Sequence, residues 1–123
     1  MELKLVLTAA GGAGTSTASG NTEAPIKGWI EAIAVKYTTA PVTTTVTITE
    51  NDNFLSRSIL AIPAGNTNTV FYPIHPVVNQ SAAAVTNSWQ LHFVQYSMNV
   101  AVAAANNGTI VEVHFYLSNE FWV

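Results

Sequence analysis

Thr109-Ile-Val-Glu-Val-His-Phe-Tyr-Leu117 decides how this chain reads. Val111, Val113, Phe115 and Leu117 share one parity, while Glu112 and His114 share the other. Successive side chains of a strand point to opposite faces, so this period of two predicts a strand with one buried side. The preceding segment, Met98 to Ala105, repeats the pattern with Met98, Val100, Val102 and Ala104 on one parity. Asn106-Asn107-Gly108 between them is a tight-turn signal. The expectation is a hairpin of Met98–Ala105 with Thr109–Leu117.

The same period recurs outward from this pair. In Val42-Thr-Thr-Thr-Val-Thr-Ile-Thr49, Val42, Val46 and Ile48 oppose a row of threonines, which suits a half-exposed strand. Leu3, Leu5 and Leu7 alternate with Glu2, Lys4 and Val6. Lys27 to Tyr37 is apolar on both parities, as in a central strand. Trp29, Ile33, Val35 and Tyr37 share one of them, with Glu31 as the exception. A helix is the rival reading there, but Thr-Thr-Ala-Pro stops the segment and a β pattern follows.

Further strands are expected at Phe54–Ile62, at Thr69–Tyr72, and around Trp89, Leu91 and Phe93. Glu50-Asn-Asp-Asn53 reads as a polar turn. Pro73 and Pro76 remove ladder donors and place their stretch at a sheet edge or outside the sheet. Val77 to Asn87 reads as connection with one short extended piece at most. Residues 9–24 are small and rich in Gly, Ala, Ser and Thr. They read as a flexible loop, or as an arm that clasps a partner.

About eight short strands with regular turn signals predict one all-β domain over residues 1–123, a two-sheet β-sandwich. Jelly-roll connectivity is the first choice and an immunoglobulin-like sandwich the second. The chain's length of 123 residues permits one real core.

Composition excludes several functions. Cysteine is absent, which removes disulfides, thiolate metal sites and a thiol nucleophile. Charged residues are 9% of the chain, against about 25% in ordinary soluble domains. Lys4, Lys27, Lys36 and Arg57 are scattered, so no row of phosphates is neutralised and no nucleic acid is expected. No apolar run reaches the ~20 residues of a spanning helix, and Met1–Leu7 lacks the basic, long-apolar pattern of a signal peptide. No membrane partner is expected, and synthesis in the cytoplasm is the default.

Candidate chemistry is sparse. There is no Gly-x-Ser-x-Gly elbow, and Ala9–Gly14 lacks the Lys-Ser/Thr of a phosphate loop. His92 and His114 lie on polar parities. They would form a metal site only if a sheet or an oligomer axis brought them together, and solvent-facing histidines are the commoner case. Glu50–Asn53 offers oxygens for calcium but lacks the distal bidentate acid, and a plain turn is preferred. Glu31 and Glu112 would serve glycoside hydrolysis only as a close pair. No catalytic residue, metal or cofactor is therefore assigned. The aromatic residues Trp29, Phe71, Tyr72, Trp89, Tyr96, Tyr116 and Trp122 fit a sugar-binding face, a core or an oligomer interface. Trp89 shares the parity of Leu91 and Phe93 and is expected in the core. Phe71, Tyr72 and Trp122, beside proline or near the apolar end Glu120-Phe-Trp-Val123, are interface candidates.

Three stretches, Gly28–Tyr37, Thr43–Glu50 and Ile62–Pro73, together with the Val100–Leu117 region, resemble small virion structural proteins of tailed bacteriophages. These include capsid decoration, or cement, subunits. The resemblance implies a non-enzymatic role on the capsid surface, with a homo-oligomer, a trimer favoured, gripping the major capsid protein or another virion protein. It transfers no individual residue. The alternative is a carbohydrate- or receptor-binding β-sandwich of the tail-fibre or lectin-like kind. An enzyme ranks third.

Overall fold

The alternation of Thr109–Leu117 becomes burial in the computed structural model, which describes residues 2–22, 27–51 and 56–118. Val111, Val113, Phe115 and Leu117 are buried, whereas Glu112 and His114 look outward. Eleven strands are present among the described residues. They are β1 (Glu2–Thr8), β2 (Ser16–Asn21), β3 (Gly28–Thr38), β4 (Thr45–Asn51), β5 (Ser56–Ile62), β6 (Thr69–Phe71), β7 (Ile74–Val78), β8 (Ala84–Leu91), β9 (Phe93–Val94), β10 (Met98–Ala105) and β11 (Ile110–Ser118).

Two antiparallel sheets face each other. One runs β1-β11-β3-β6, with β9 also on β3, and the other runs β2-β10-β4-β5. β6 and β9 occupy successive stretches of one edge of β3, opposite Ile33–Val35 and Gly28–Trp29 respectively. Counted as one position, they leave eight. First then pairs with last, second with seventh, third with sixth and fourth with fifth. This nesting of pairs is the jelly roll, so the immunoglobulin-like alternative does not hold. The core lies between the sheets, with Ile30, Ile33 and Val35 of β3 and the inward side of β11 against Val46 and Ile48 of β4 and Val100 and Val102 of β10.

The expected hairpin of the last two strands is corrected. β10 and β11 both exist, but β10 pairs with β2 and β4, and β11 with β1 and β3. Asn106–Thr109 is an arch from one sheet to the other. Both strands bury an apolar parity, and these parities meet across the sandwich instead of lying side by side. The arch is fixed by its own amides. Gly14 N donates to Asn106 Oδ1 at 2.8 Å, and Gly11 N donates to Asn107 Oδ1 at 3.4 Å.

Residues 9–22 differ from the flexible loop or arm expected over 9–24, whose last two residues lie outside the described ones, because β2 runs through them and pairs with β10. Ser16, Ala18 and Gly20 point inward, opposite the larger Leu5 and Leu7 of β1. A Cβ on Gly20 would stand 2.8 Å from Leu7 Cδ2. Small residues here make room for large ones on the facing sheet.

Three smaller corrections follow from local geometry. Val42 precedes β4 and is 68% exposed, while Val46 and Ile48 are buried as expected. β3 carries a bulge at Glu31, because Tyr116 pairs with Ala32 but Leu117 pairs with Ile30. The extra residue buries Ile30 and turns Trp29 away from the core. Val77–Asn87, read as connection, contributes to the β7–β8 hairpin, whose turn is held by Ser81 N and Ala83 N donating to Asn79 Oδ1.

Candidate functional site

A groove of about 350 Å³ opens where the β7–β8 hairpin leaves the sandwich, lined by Trp29, Arg57, His75, Gln90, Leu91, Phe93 and Gln95. The Glu31 bulge delivers Trp29, whose ring meets Phe93 edge-on at 5.1 Å. The hairpin delivers His75 and Gln90, which are direct cross-strand partners. β5 delivers Arg57.

Beneath the groove lies Glu50, a fully buried carboxylate near the end of β4. Its Oε2 accepts from Gln95 N at 2.7 Å and Tyr96 N at 3.0 Å. Its Oε1 accepts from Arg57 Nε at 2.8 Å and also meets Arg57 Nη2. Arg57 Nη2 reaches on to the Phe93 carbonyl at 2.8 Å. One acid thus ties β4, β5 and the 93–96 segment together, and the guanidinium is fixed before any ligand arrives. The sequence reading put Glu50 in a polar turn with possible calcium chemistry. The structure instead makes it an internal anchor. Its register with Arg57 across the β4–β5 pair was the available signal, since opposite charges facing across strands stabilise a pair.

His75 and His92 pack ring to ring at 4.9 Å beside this groove. Burial, then the nearby His75 and Arg57, lower the His92 pKa below its ordinary value. His92 and His114 are therefore not brought together. Among the described residues no group of three or more metal-ligating side chains forms. Nor do Glu31 and Glu112 pair. Glu112 sits opposite Lys36, five residues along β3 from Glu31, which is roughly 16 Å of strand. Glycosidase carboxylates stand about 5–10 Å apart.

A second groove, of about 330 Å³, lies on the outer side of the β11-β3-β6 region, lined by residues including Ala34, Lys36, Val70, His114 and Tyr116. Its charges are largely engaged with one another. His114 Nδ1 donates to Glu2 at 2.5 Å and Nε2 to Glu112 at 3.0 Å, and Lys4 Nζ lies 3.1 Å from Glu112. Hydrogen bonds to Glu2 and then Glu112 raise the His114 pKa above 6.5. The bonds from His114 and then Lys4 lower that of Glu112 below 4.5.

A raised histidine adds stability that is complete below its ordinary value and is lost as pH rises through the raised one. A lowered carboxylate adds stability above its ordinary value and loses it as pH falls through the lowered one. The cluster is therefore best formed between pH 4.5 and 6.5. The melting temperature is expected to drop by about 1–3 °C as pH is raised from about 6 to 8, and His114→Gln should flatten that slope. Thermal scans by circular dichroism across this range check it.

Of the aromatic candidates, Trp29 reaches the first groove and Tyr116 the second. Phe71 packs against the core, and Tyr72 is 69% exposed. Trp122 lies outside the described residues. Trp89, expected in the core, is 59% exposed on β8. The hairpin that carries it stands off the sandwich, so its parity with Leu91 and Phe93 does not point it at the core.

No family model matches the chain, and no curated protein matches it. Solved structures similar to it include carbohydrate-binding modules. A family 32 module from the C. perfringens protein NanJ, in complex with galactose, is 8% identical, with 92% of this chain and 93% of that chain covered and a TM-score of 0.43. A low-affinity xylan-binding module from Roseburia intestinalis is 10% identical, with 96% of each chain covered and a TM-score of 0.40. The family 32 module of AlyQ, in complex with 4,5-unsaturated mannuronic acid, is 6% identical, with 94% of this chain and 78% of that chain covered and a TM-score of 0.41. Likeness at this level transfers neither ligand nor residue to the present chain.

Proposed function

We propose that this chain is a non-catalytic binding module whose end groove takes a carbohydrate. One observation carries the reading: the Trp29–Phe93 pair stands beside Arg57, His75, Gln90 and Gln95 in a single open groove. A sugar ring presents an apolar C–H face and an equatorial rim of hydroxyls. An aromatic wall suits the first, and planar amide and guanidinium donors suit the second. The guanidinium is held rigid by Glu50, so little ordering is required on binding. Among the described lining residues no acid stands with a base at reacting distance, and the role is retention of a glycan.

A glycan array followed by calorimetry tests it. A small open groove predicts dissociation constants on the order of 10 µM to 1 mM for one sugar class. Trp29→Ala and the exposed Gln90→Ala should each weaken binding about tenfold or more. Absence of glycan binding, or binding indifferent to both substitutions, would refute the reading.

The protruding hairpin favours a second reading, that of a virion structural subunit. Such a subunit, made in the host cytoplasm, would sit on the capsid surface as a homo-oligomer, a trimer favoured, in contact with the major capsid protein. Exposed Tyr72 and Trp89 suit a protein partner. Locating the chain in purified particles by electron microscopy separates the two.

A further inference from the structure

The β7–β8 hairpin is a two-stranded sheet outside both main sheets. Such a sheet is marginal alone in water, and it needs a covered face to hold its shape. Here the covering is missing. Ile74, Pro76 and Trp89 lie on one side, since Trp89 pairs with Pro76 and Ile74 with Leu91. Ile74 is 49% and Trp89 59% exposed, and Val78 is also exposed. Tyr72 stands at the root of the same hairpin. Its opposite side carries His75 and Gln90, which face the groove. From the apolar side the groove takes only Leu91, the partner of Ile74, and Ile74, Val78 and Trp89 lie outside its lining.

We propose that this apolar side is the contact through which one copy of the chain binds another. Charge argues for a copy as occupant. Between Arg57 and Glu112 the sequence contains no Lys, Arg, Asp or Glu. A two-fold contact brings each residue near its axis against its own copy, so a surface without charge meets itself there without repulsion. Nor does the hairpin offer a charge by which to select an acidic or basic partner.

Area argues the same way. At roughly 200 Å² per large aromatic and 60–120 Å² per aliphatic side chain, the exposed fractions amount to on the order of 400 Å² per copy. Two copies therefore bury about 800 Å² before backbone and intervening polar atoms are added. That approaches the ~1,000 Å² of a specific interface. The open outer edges of β7 and β8 add unpaired backbone groups that a second hairpin can meet.

The proposal goes beyond the groove's ligand and stands whatever sugar, if any, binds there. Sedimentation equilibrium of the full chain at about 1–100 µM tests it. The expected mass is twice the 13.1 kDa of one chain or a higher multiple. Trp89→Lys and Ile74→Lys should each raise the dissociation constant about 30-fold or more. Both positions are exposed, so circular dichroism and the melting temperature at low concentration should match wild type. A monomer at the top of that range overturns the proposal, as does association that both lysines leave intact. Glycan binding that survives in a monomeric Trp89→Lys would leave the groove reading standing by itself.

Discussion

Glu50→Ala is expected to lower the unfolding free energy by about 3–5 kcal/mol and to abolish the end groove. The side chain is fully buried and spends both oxygens. One side receives the Arg57 guanidinium, and the other receives Gln95 N and Tyr96 N. Truncation orphans two backbone donors, each costing about 1–3 kcal/mol, and frees Arg57 from the only carboxylate it meets among the described residues. A domain of this size has about 5–15 kcal/mol in total, so the variant should be marginal but measurable. Urea unfolding followed by tryptophan fluorescence gives the value. Glu50→Gln retains one acceptor and should recover part of the loss. A loss below about 1 kcal/mol would mean that water already serves these donors.

The same carboxylate shows how the sequence divides into legible and illegible parts. Alternation was legible wherever a strand has one wet and one dry face. Leu3, Leu5 and Leu7 of β1, Val46 and Ile48 of β4, and Val111, Val113, Phe115 and Leu117 of β11 all turn inward as their parity requires. Pairing was not legible from parity. β10 and β11 have the pattern of a hairpin, yet the arch at Asn106–Thr109 sends them to different sheets. An arch and a hairpin both need a short polar link, and only the opposing core separates them. Parity also fails across a bulge. The extra residue at Glu31 exchanges the places of Trp29 and Ile30, which decides what reaches the groove.

Hydrophobicity misled in both directions. Ser16, Ala18 and Gly20 seemed too small to belong to a core, but the facing leucines of β1 supply the bulk. Trp89 had the parity of a core residue, but among the described residues its strand pairs with β7 outside both main sheets, and the ring is exposed. In each case the neighbour across space sets the outcome, and one strand's sequence does not contain it. The candidate site depends on the same information. Trp29, Arg57, His75, Gln90 and Gln95 come from distant segments and share no spacing motif.

Phe115→Ala should cost about 3–5 kcal/mol, a fall in melting temperature of roughly 10–20 °C. β11 lies between β1 and β3 in the centre of its sheet, and Phe115 is the largest of the fully buried side chains. It pairs laterally with Leu3 and Ile33 and points at the other sheet. No neighbour can close over the space without shifting a strand held on both edges, so the cavity term is retained in full. The adjacent His114→Ala makes the comparison internal. His114 looks outward, and its bonds to Glu2 and Glu112 are screened by water, so its loss should be several times smaller than that of Phe115. Two neighbours on one strand are thus expected to differ severalfold because the strand alternates between core and solvent. Differential scanning calorimetry at pH 6 measures both. Equal losses would mean that the period of two in Thr109–Leu117, on which the sandwich rests, does not describe the folded strand.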